Sequence, residues 1–170
     1  MVILNPKQIS MIEKTTISEY GISMERLIEN AGLNIVLKMD KEIGLRKDLK
    51  ISLFVGKGNN GCDGLVAARH FKKMGMDIKV YLMFPEHQMN IQCRINLTII
   101  KKLGIIPNDI SSLDKFNKIK GEIKKTNILI DAIFGLGLSR PITGYLSQII
   151  LYLNSLKIPI ISVDIPSGLN

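Results

Sequence analysis

The sequence predicts an α/β domain in which a doubly wound, mainly parallel sheet is covered by helices on both faces. Short, continuously apolar segments of strand character alternate with helical patterns along the chain. That is the signature of strands buried on both sides and joined by crossover helices. A strand, glycine loop and helix follow one another over residues 51–70, ISLFVGKGNNGCDGLVAARH. Two further apolar strands deliver an aspartate, Asp131 and Asp164, to the edge where such sheets bind ligands.

The elements can be justified in order. Residues 5–20 read as a first helix with Ile9, Ile12 and Ile17 inward, closed by a turn at Gly21. Ser23 is placed to cap a second helix whose stripe of Met24, Leu27, Ile28, Ala31, Ile35 and Leu37 runs toward Gly44. The first strand spans about residues 49–55, and after the glycine loop a helix opens at Asp63 or Gly64 and runs to Met74, with Gly75 ending it. Residues 77–83 form a strand, residues 85–89 break the pattern, and residues 91–103 form a helix closed by Gly104. A short strand is expected near Ile105 and Ile106, then a lysine-rich helix over 113–125 and a buried strand over 128–132. A second glycine loop, 134–144, a helix over 145–156 and a strand over 158–165 complete the chain. Right-handed crossovers are expected between the parallel strands.

At 170 residues and 46% hydrophobic, the chain suits one domain with one core. No apolar run approaches the eighteen or so residues of a membrane span, and the first ten residues lack the order of a signal peptide. Cys62 and Cys93, far apart in sequence, suggest neither a disulfide framework nor a metal cluster, so a reducing, cytoplasmic compartment is expected. The net charge of +8 favours anionic partners, but the lysines are scattered over helix faces and turns. Aromatics make up 5% and never interleave with basic residues, so nucleic acid is not an expected partner; a phosphate-bearing small molecule is.

The first glycine loop should receive that molecule. Its glycines would supply positive φ and a close backbone approach, and helix-start N–H groups would face negative charge. Gly56, Gly58 and Gly61 satisfy G-x-G-x-x-G, but the Lys-Ser/Thr ending of a P-loop is absent. Asn59, Asn60 and Asp63 crowd the loop with oxygens; Asp63 either caps the helix or meets a cation. Asp131 and Asp164 need partners if buried: helix-start N–H groups, Arg140, a metal ion or a ligand hydroxyl; capping of the following turn is the plainer alternative. Asn60, Asp131 and Ser167, with backbone carbonyls, offer oxygens for a hard cation, whereas no His or Cys cluster suits zinc. His70 reads as an exposed helix residue, and Arg140 as a phosphate ligand, an Asp131 partner or a surface residue. Cys62, beside a helix start, has no paired base and is not expected to be a nucleophile.

Four blocks resemble the YjeF N-terminal domain family, whose enzyme members are NAD(P)HX epimerases. GKGNNGCDGLVAARH resembles the family's G-x-G-N-N-G-G-D-G-L-V-A-A-R-H; DAIFGLGLSRP its D-A-(L/I)-F-G-T-G-L-x-R-P; VDIPSG its V-D-I-P-S-G; and LIENAG its L-M-E-N-A-G. The resemblance implies a Rossmann-like three-layer αβα sandwich that interconverts the R and S hydrates of NADH and NADPH with a bound potassium ion. It implies that Asn59, Asn60, Gly61, Cys62, Asp63, Gly135, Leu136, Gly137, Leu138, Ser139, Arg140, Pro141 and Asp164 contact the substrate. It further implies that Asn60, Asp131 and Ser167 hold potassium. Asp164 is the expected catalytic residue, moving a proton at the hydroxyl next to the ring nitrogen.

Two departures accompany the resemblance. Cys62 stands where the family has glycine, which is tolerated if φ is negative there but narrows the ligand's approach. The chain also stops at Asn170, so it reads as C-terminally truncated, with an open sheet edge that makes a homodimer a candidate arrangement. The rival reading is a non-catalytic ligand-binding or scaffold module on the same fold. An ordinary NAD-dependent dehydrogenase is disfavoured by the Asn-Asn-Gly loop.

Overall fold

The computed structural model describes residues 4–169. Five strands form one sheet in the order β3-β2-β1-β4-β5, and every pairing is parallel. The strands are β1 (Lys50–Val55), β2 (Asp77–Leu82), β3 (Asn108–Asp109), β4 (Ile128–Ala132) and β5 (Ile160–Ser162). The helices are α1 (Pro6–Ser18), α2 (Met24–Ile43), α3 (Asn59–Lys73), α4 (Ile91–Lys102), α5 (Leu113–Ile123) and α6 (Gly144–Ser155). None is long and apolar enough to cross a membrane, among the described residues.

The pleat sorts the core into two layers. Ile51, Leu53 and Val55 of β1, with Ile78, Val80 and Leu82 of β2 and Ile128, Ile130 and Ala132 of β4, pack against α2, α3 and α4. The alternate residues Phe54, Tyr81 and Leu129 face α5 and α6, where Phe116, Ile123, Ile149 and Leu153 meet them. Phe54 and Tyr81 stack with ring centroids 5.0 Å apart, across the β1–β2 pair. Each such fully buried side chain contributes about 1.5–3 kcal/mol relative to exposure. Two apolar faces therefore explain why the strands read as unbroken apolar runs rather than alternating ones.

Helix ends follow local chemistry. The Asn5 side chain accepts the Gln8 N–H at 3.0 Å while Gln8 reaches back to Asn5 N, a capping box that starts α1. Ser23 caps α2 through Arg26 N at 3.4 Å, as its position in the sequence predicts. Gly44 (φ 63°) and Gly75 (φ 82°) take the left-handed conformation that closes α2 and follows α3.

Several boundaries differ from expectation. Ile12 is 51% exposed, so only Ile9 and Ile17 of the proposed inward face of α1 are half-buried. The third strand lies at 108–109 because Ile105 is drawn into the core and Ile106 turns out to solvent, 84% exposed. Most consequentially, α3 begins at Asn59, and β5 ends at Ser162, two residues before Asp164. The first change puts Asn59, Asn60 and Asp63 inside the helix. The second puts Asp164 in a turn.

Strand order reverses direction beside β1: the chain first builds outward to β2 and β3, then crosses to β4 and β5 on the other side. The carboxyl ends of β1 and β4 therefore flank the natural ligand crevice of a sheet of this kind. Val55 is in register with Ala132, so the loops that follow them leave the sheet side by side.

Candidate functional site

The loop after β1 is held against the loop after β4 by missing side chains. A methyl group at Gly56 would collide with the Ile133 carbonyl, and one at Gly61 with the Gly56 carbonyl. At Gly64 it would lie 2.7 Å from the Ala132 methyl. None of Gly56, Gly58, Gly61 or Gly64 has positive φ, contrary to the expectation for a phosphate-cradling turn. These glycines serve close approach, seating α3 on β1 and β4. Gly58 caps α3 with no side-chain hydrogen bond, leaving the first-turn N–H groups without a side-chain cap at the positive end of the helix.

Ser167 and Asp131 form the first cluster. The Ser167 N–H donates to Asp131 Oδ2 at 2.8 Å and the Ser167 hydroxyl to Asp131 Oδ1 at 2.7 Å. Asp131 Oδ1 also accepts the Ile133 N–H at 3.1 Å, and Ser167 Oγ accepts the Phe134 N–H at 3.0 Å. Asp131 thus satisfies its carboxylate with Ser167 and the following turn, not with Arg140, which is exposed.

Asp164 forms the second. Its Oδ2 accepts the Leu136 N–H at 2.8 Å, from a backbone at φ 68°, the one non-glycine residue with positive φ among those described. Gly135 makes room for this contact: a methyl there would sit 2.6 Å from Asp164 Oδ2 and 3.4 Å from Asn60 Oδ1. Asn60 of α3 and Asp164 therefore meet over Gly135, one residue from the Phe134–Ser167 contact. The Asn60 amide nitrogen is buried with no hydrogen-bond partner among the described residues. A buried donor left this way is uncommon in a native fold.

Asp63 brings a third carboxyl. Burial, then the nearby charges of Glu13 on α1 and Asp164, push its pKa up to about 7. It is not the helix cap. Beside an exposed Asp164, it gives the rim a carboxyl that exchanges its proton near neutrality.

Asn60, Asp131 and Ser167 offer amide, carboxylate and hydroxyl oxygens along the short Phe134–Gly135 segment. That donor chemistry fits a hard cation with oxygen ligands. Among the described residues, no three His, Cys, Asp or Glu side chains cluster as a metal site.

The remaining predicted residues divide. Gly135 and Leu136 belong to the second cluster, and Leu138 closes a turn onto the Gly135 carbonyl at 3.1 Å. Gly137, Ser139, Arg140 and Pro141 line an exposed strip beside it. Gly61 supports Gly56 from behind. The Cys62 side chain is fully buried and faces α4, so it does not narrow the ligand's approach. Nor are the two cysteines remote from one another, because α4 brings Cys93 to it.

Sequence reasoning missed the supports. Asn90 caps α4 by accepting the Cys93 N–H at 2.8 Å, and its amide donates to Asn59 Oδ1 at 3.1 Å, tying the two helix starts together. Its place just before an apolar helical run marks it as a cap; only the fold shows that it also reaches Asn59. Glu29 of α2 binds Arg69, and His70 at 2.9 Å, both on α3. Burial would raise the Glu29 carboxyl, but those two hydrogen bonds and the neighbouring charges outweigh it and lower its pKa. His70 is accordingly half-buried rather than exposed. Gly32 completes the clamp, since a methyl there would collide with Val66.

Comparison with known proteins places this geometry. The model of the YjeF-related protein N-terminus matches residues 24–170. The chain is 33% identical over 170 residues to the bifunctional NAD(P)H-hydrate repair enzyme Nnr of Thermofilum pendens, covering 100% of this chain and 32% of that protein. It is 32% identical over 166 residues to the NAD(P)H-hydrate epimerase of Entamoeba histolytica, covering 97% of this chain and 69% of the relative. The crystal structure of yeast ynu0 superposes with a TM-score of 0.84 at 25% identity, covering 99% of this chain and 72% of the yeast chain. The chain thus spans about a third of the bifunctional relative and about 70% of the single-activity one.

Proposed function

Because the chain belongs to the family of YjeF-related N-terminal domains, we propose that it epimerises the R and S forms of hydrated NADH and NADPH, a repair reaction on damaged nicotinamide nucleotides. The names of its relatives support this reading, and one observation carries it: Asp164 is held at the mouth of the crevice by Leu136 N, beside Asn60 and Asp63. The hydrate is a carbinolamine, with its hydroxyl on the carbon next to the ring nitrogen. Loss of that hydroxyl and its return on the opposite face inverts the centre, and both steps need a proton moved at that oxygen.

Asp164 does this work. One carboxylate oxygen is anchored by Leu136 N, and the other, which has no hydrogen bond among the described residues, faces the task of proton transfer. Asn60 offers its buried N–H to a substrate oxygen, and the first turn of α3 offers N–H groups to the substrate's negative charge. Gly135 to Pro141 forms the opposite wall. Asn60, Asp131 and Ser167 would hold a potassium ion, which supplies positive charge that offsets the carboxylates and the dinucleotide phosphates. Two copies joining as a homodimer would be compatible with this chemistry.

The test is direct. Purified protein is mixed with the R hydrate, and the S form is followed by chromatography with and without potassium. Conversion supports the epimerase. Binding without conversion would instead establish a non-catalytic ligand-binding module.

A further inference from the structure

Cys62 and Cys93, 31 positions apart, meet between the first turns of α3 and α4 with their sulfurs 2.6 Å apart. Both side chains are fully buried. Their surroundings are unusually polar for a core: the Cys62 thiol donates to Asn90 Oδ1 at 3.3 Å, and the Cys93 thiol to the Gly58 carbonyl at 3.2 Å. A disulfide bond is about 2.05 Å long, so the two sulfurs stand within reach of one.

We propose that Cys62 and Cys93 are a reversible dithiol–disulfide pair, a modification site that staples the start of α3 to the start of α4 and so couples the nucleotide rim to oxidants. The proposal goes beyond epimerase activity and does not depend on it. The oxidant is hydrogen peroxide. One thiol loses its proton and attacks the peroxide oxygen, giving a sulfenic acid and one water. The neighbouring thiol then attacks that sulfur, forming the S–S bond and releasing a second water. Two electrons and two protons leave the pair, and the peroxide is reduced to two waters. A dithiol reductant reverses the step by exchange.

The consequence reaches the site through two lost donors. Bonded sulfurs can no longer donate to Asn90 Oδ1 or to the Gly58 carbonyl. Asn90 holds the Asn59 side chain, and Gly58 is the cap of α3. Oxidation therefore acts on residues 58–60 from behind, without occupying the crevice. The Cys62 sulfur lying against it, followed by burial, pushes the Cys93 thiol's pKa up. The reduced pair is accordingly slow to react, as a pair closed from solvent should be.

The full chain is treated with hydrogen peroxide, unfolded in denaturant with N-ethylmaleimide and analysed by intact mass and non-reducing peptide mapping. The expected result is a chain lighter by two hydrogens, without maleimide adducts, yielding one peptide pair joined through residues 62 and 93. Its Tm rises by roughly 10 °C, since closing a loop of this length constrains the unfolded chain. Dithiothreitol reverses both changes, and Cys93→Ala shows neither. Two maleimide adducts per chain after peroxide, oxygen added to one sulfur while the other stays alkylatable, or cross-links only between chains would each overturn the proposal. None of these readouts uses the hydrate, so a chain that fails to epimerise leaves them unchanged.

Discussion

The Asp164 carboxylate accepts the Leu136 N–H at 2.8 Å across 28 positions of sequence, and it does so from a left-handed backbone at φ 68°. Such a conformation costs an ordinary residue roughly 1–2 kcal/mol, and Asp and Asn tolerate it best. The hydrogen bond offsets that cost and fixes the carboxylate over Gly135. The glycine loop after β4 and the turn after β5 are thereby one unit, and disturbing either should disturb the other.

Asp164→Asn separates chemistry from architecture. Asparagine accepts the same backbone angle and can still receive the Leu136 N–H, so Tm should stay within about 2 °C of the wild type. Removing a positioned acid–base group should cost about 10²- to 10⁴-fold in kcat. Calorimetric titration with the hydrate should still detect binding. An Asp164→Asn enzyme with undiminished turnover would move the proton carrier elsewhere.

Gly135→Ala tests the same contact from the other side. Its φ is not positive, so alanine is sterically strained only by what it meets, Asp164 Oδ2 at 2.6 Å and Asn60 at 3.4 Å. The carboxylate must move. Displacements of about 1 Å in a reacting group can cost about 10²-fold, and that is the expected loss in kcat/KM. Circular dichroism should remain that of the wild type, showing that the site and not the sheet has changed.

Ser167→Ala should weaken the fold and cation binding together. The hydroxyl donates to Asp131 and accepts from Phe134 N; its removal leaves a half-buried N–H without a partner, costing about 1–3 kcal/mol. Tm should fall by roughly 5 °C. In the wild type, potassium chloride should raise Tm above its value in equal lithium chloride, and Ser167→Ala should abolish the difference. Equal melting of the wild type in both salts would count against potassium at Asn60, Asp131 and Ser167.

The sheet was legible in the sequence because burial on two faces leaves strands such as β1 with no polar interruption but Ser52, itself buried. The aspartates stood out because carboxylates at the ends of such strands demand partners. What could not be read was which partner each would find. Asp131 found Ser167, 36 positions away, and Asp164 found a loop N–H, both set by the turns after β4 and β5 and not by any local pattern. The start of α3 was misplaced because a run of asparagine and glycine reads as loop. It becomes helix only because Gly56, Gly61 and Gly64 let it pack against β1 and β4. The place of Cys62 has the same origin: once the helix starts at Asn59, position 62 turns inward, toward Cys93.

Asp63 gives the protein a pH signature whose sign can be worked out. In the unfolded chain this carboxyl loses its proton near 3.8; in the folded chain burial, Glu13 and Asp164 hold the proton until about 7. Between those values the native state binds more protons than the unfolded state, so this group's contribution to stability declines as pH rises, and the full penalty is present above about 7. Asp63→Asn removes the titration and keeps the shape. The Tm of the variant should match the wild type near pH 4 and exceed it at pH 8 by an amount on the order of 5 °C. Glu13→Gln should give a smaller effect in the same direction, because it removes one of the two charges that burial acts alongside. Melting curves of wild type and Asp63→Asn that stay parallel from pH 4 to 8 would show that the carboxyl ionises freely, and the proton reserve beside Asp164 would go with it.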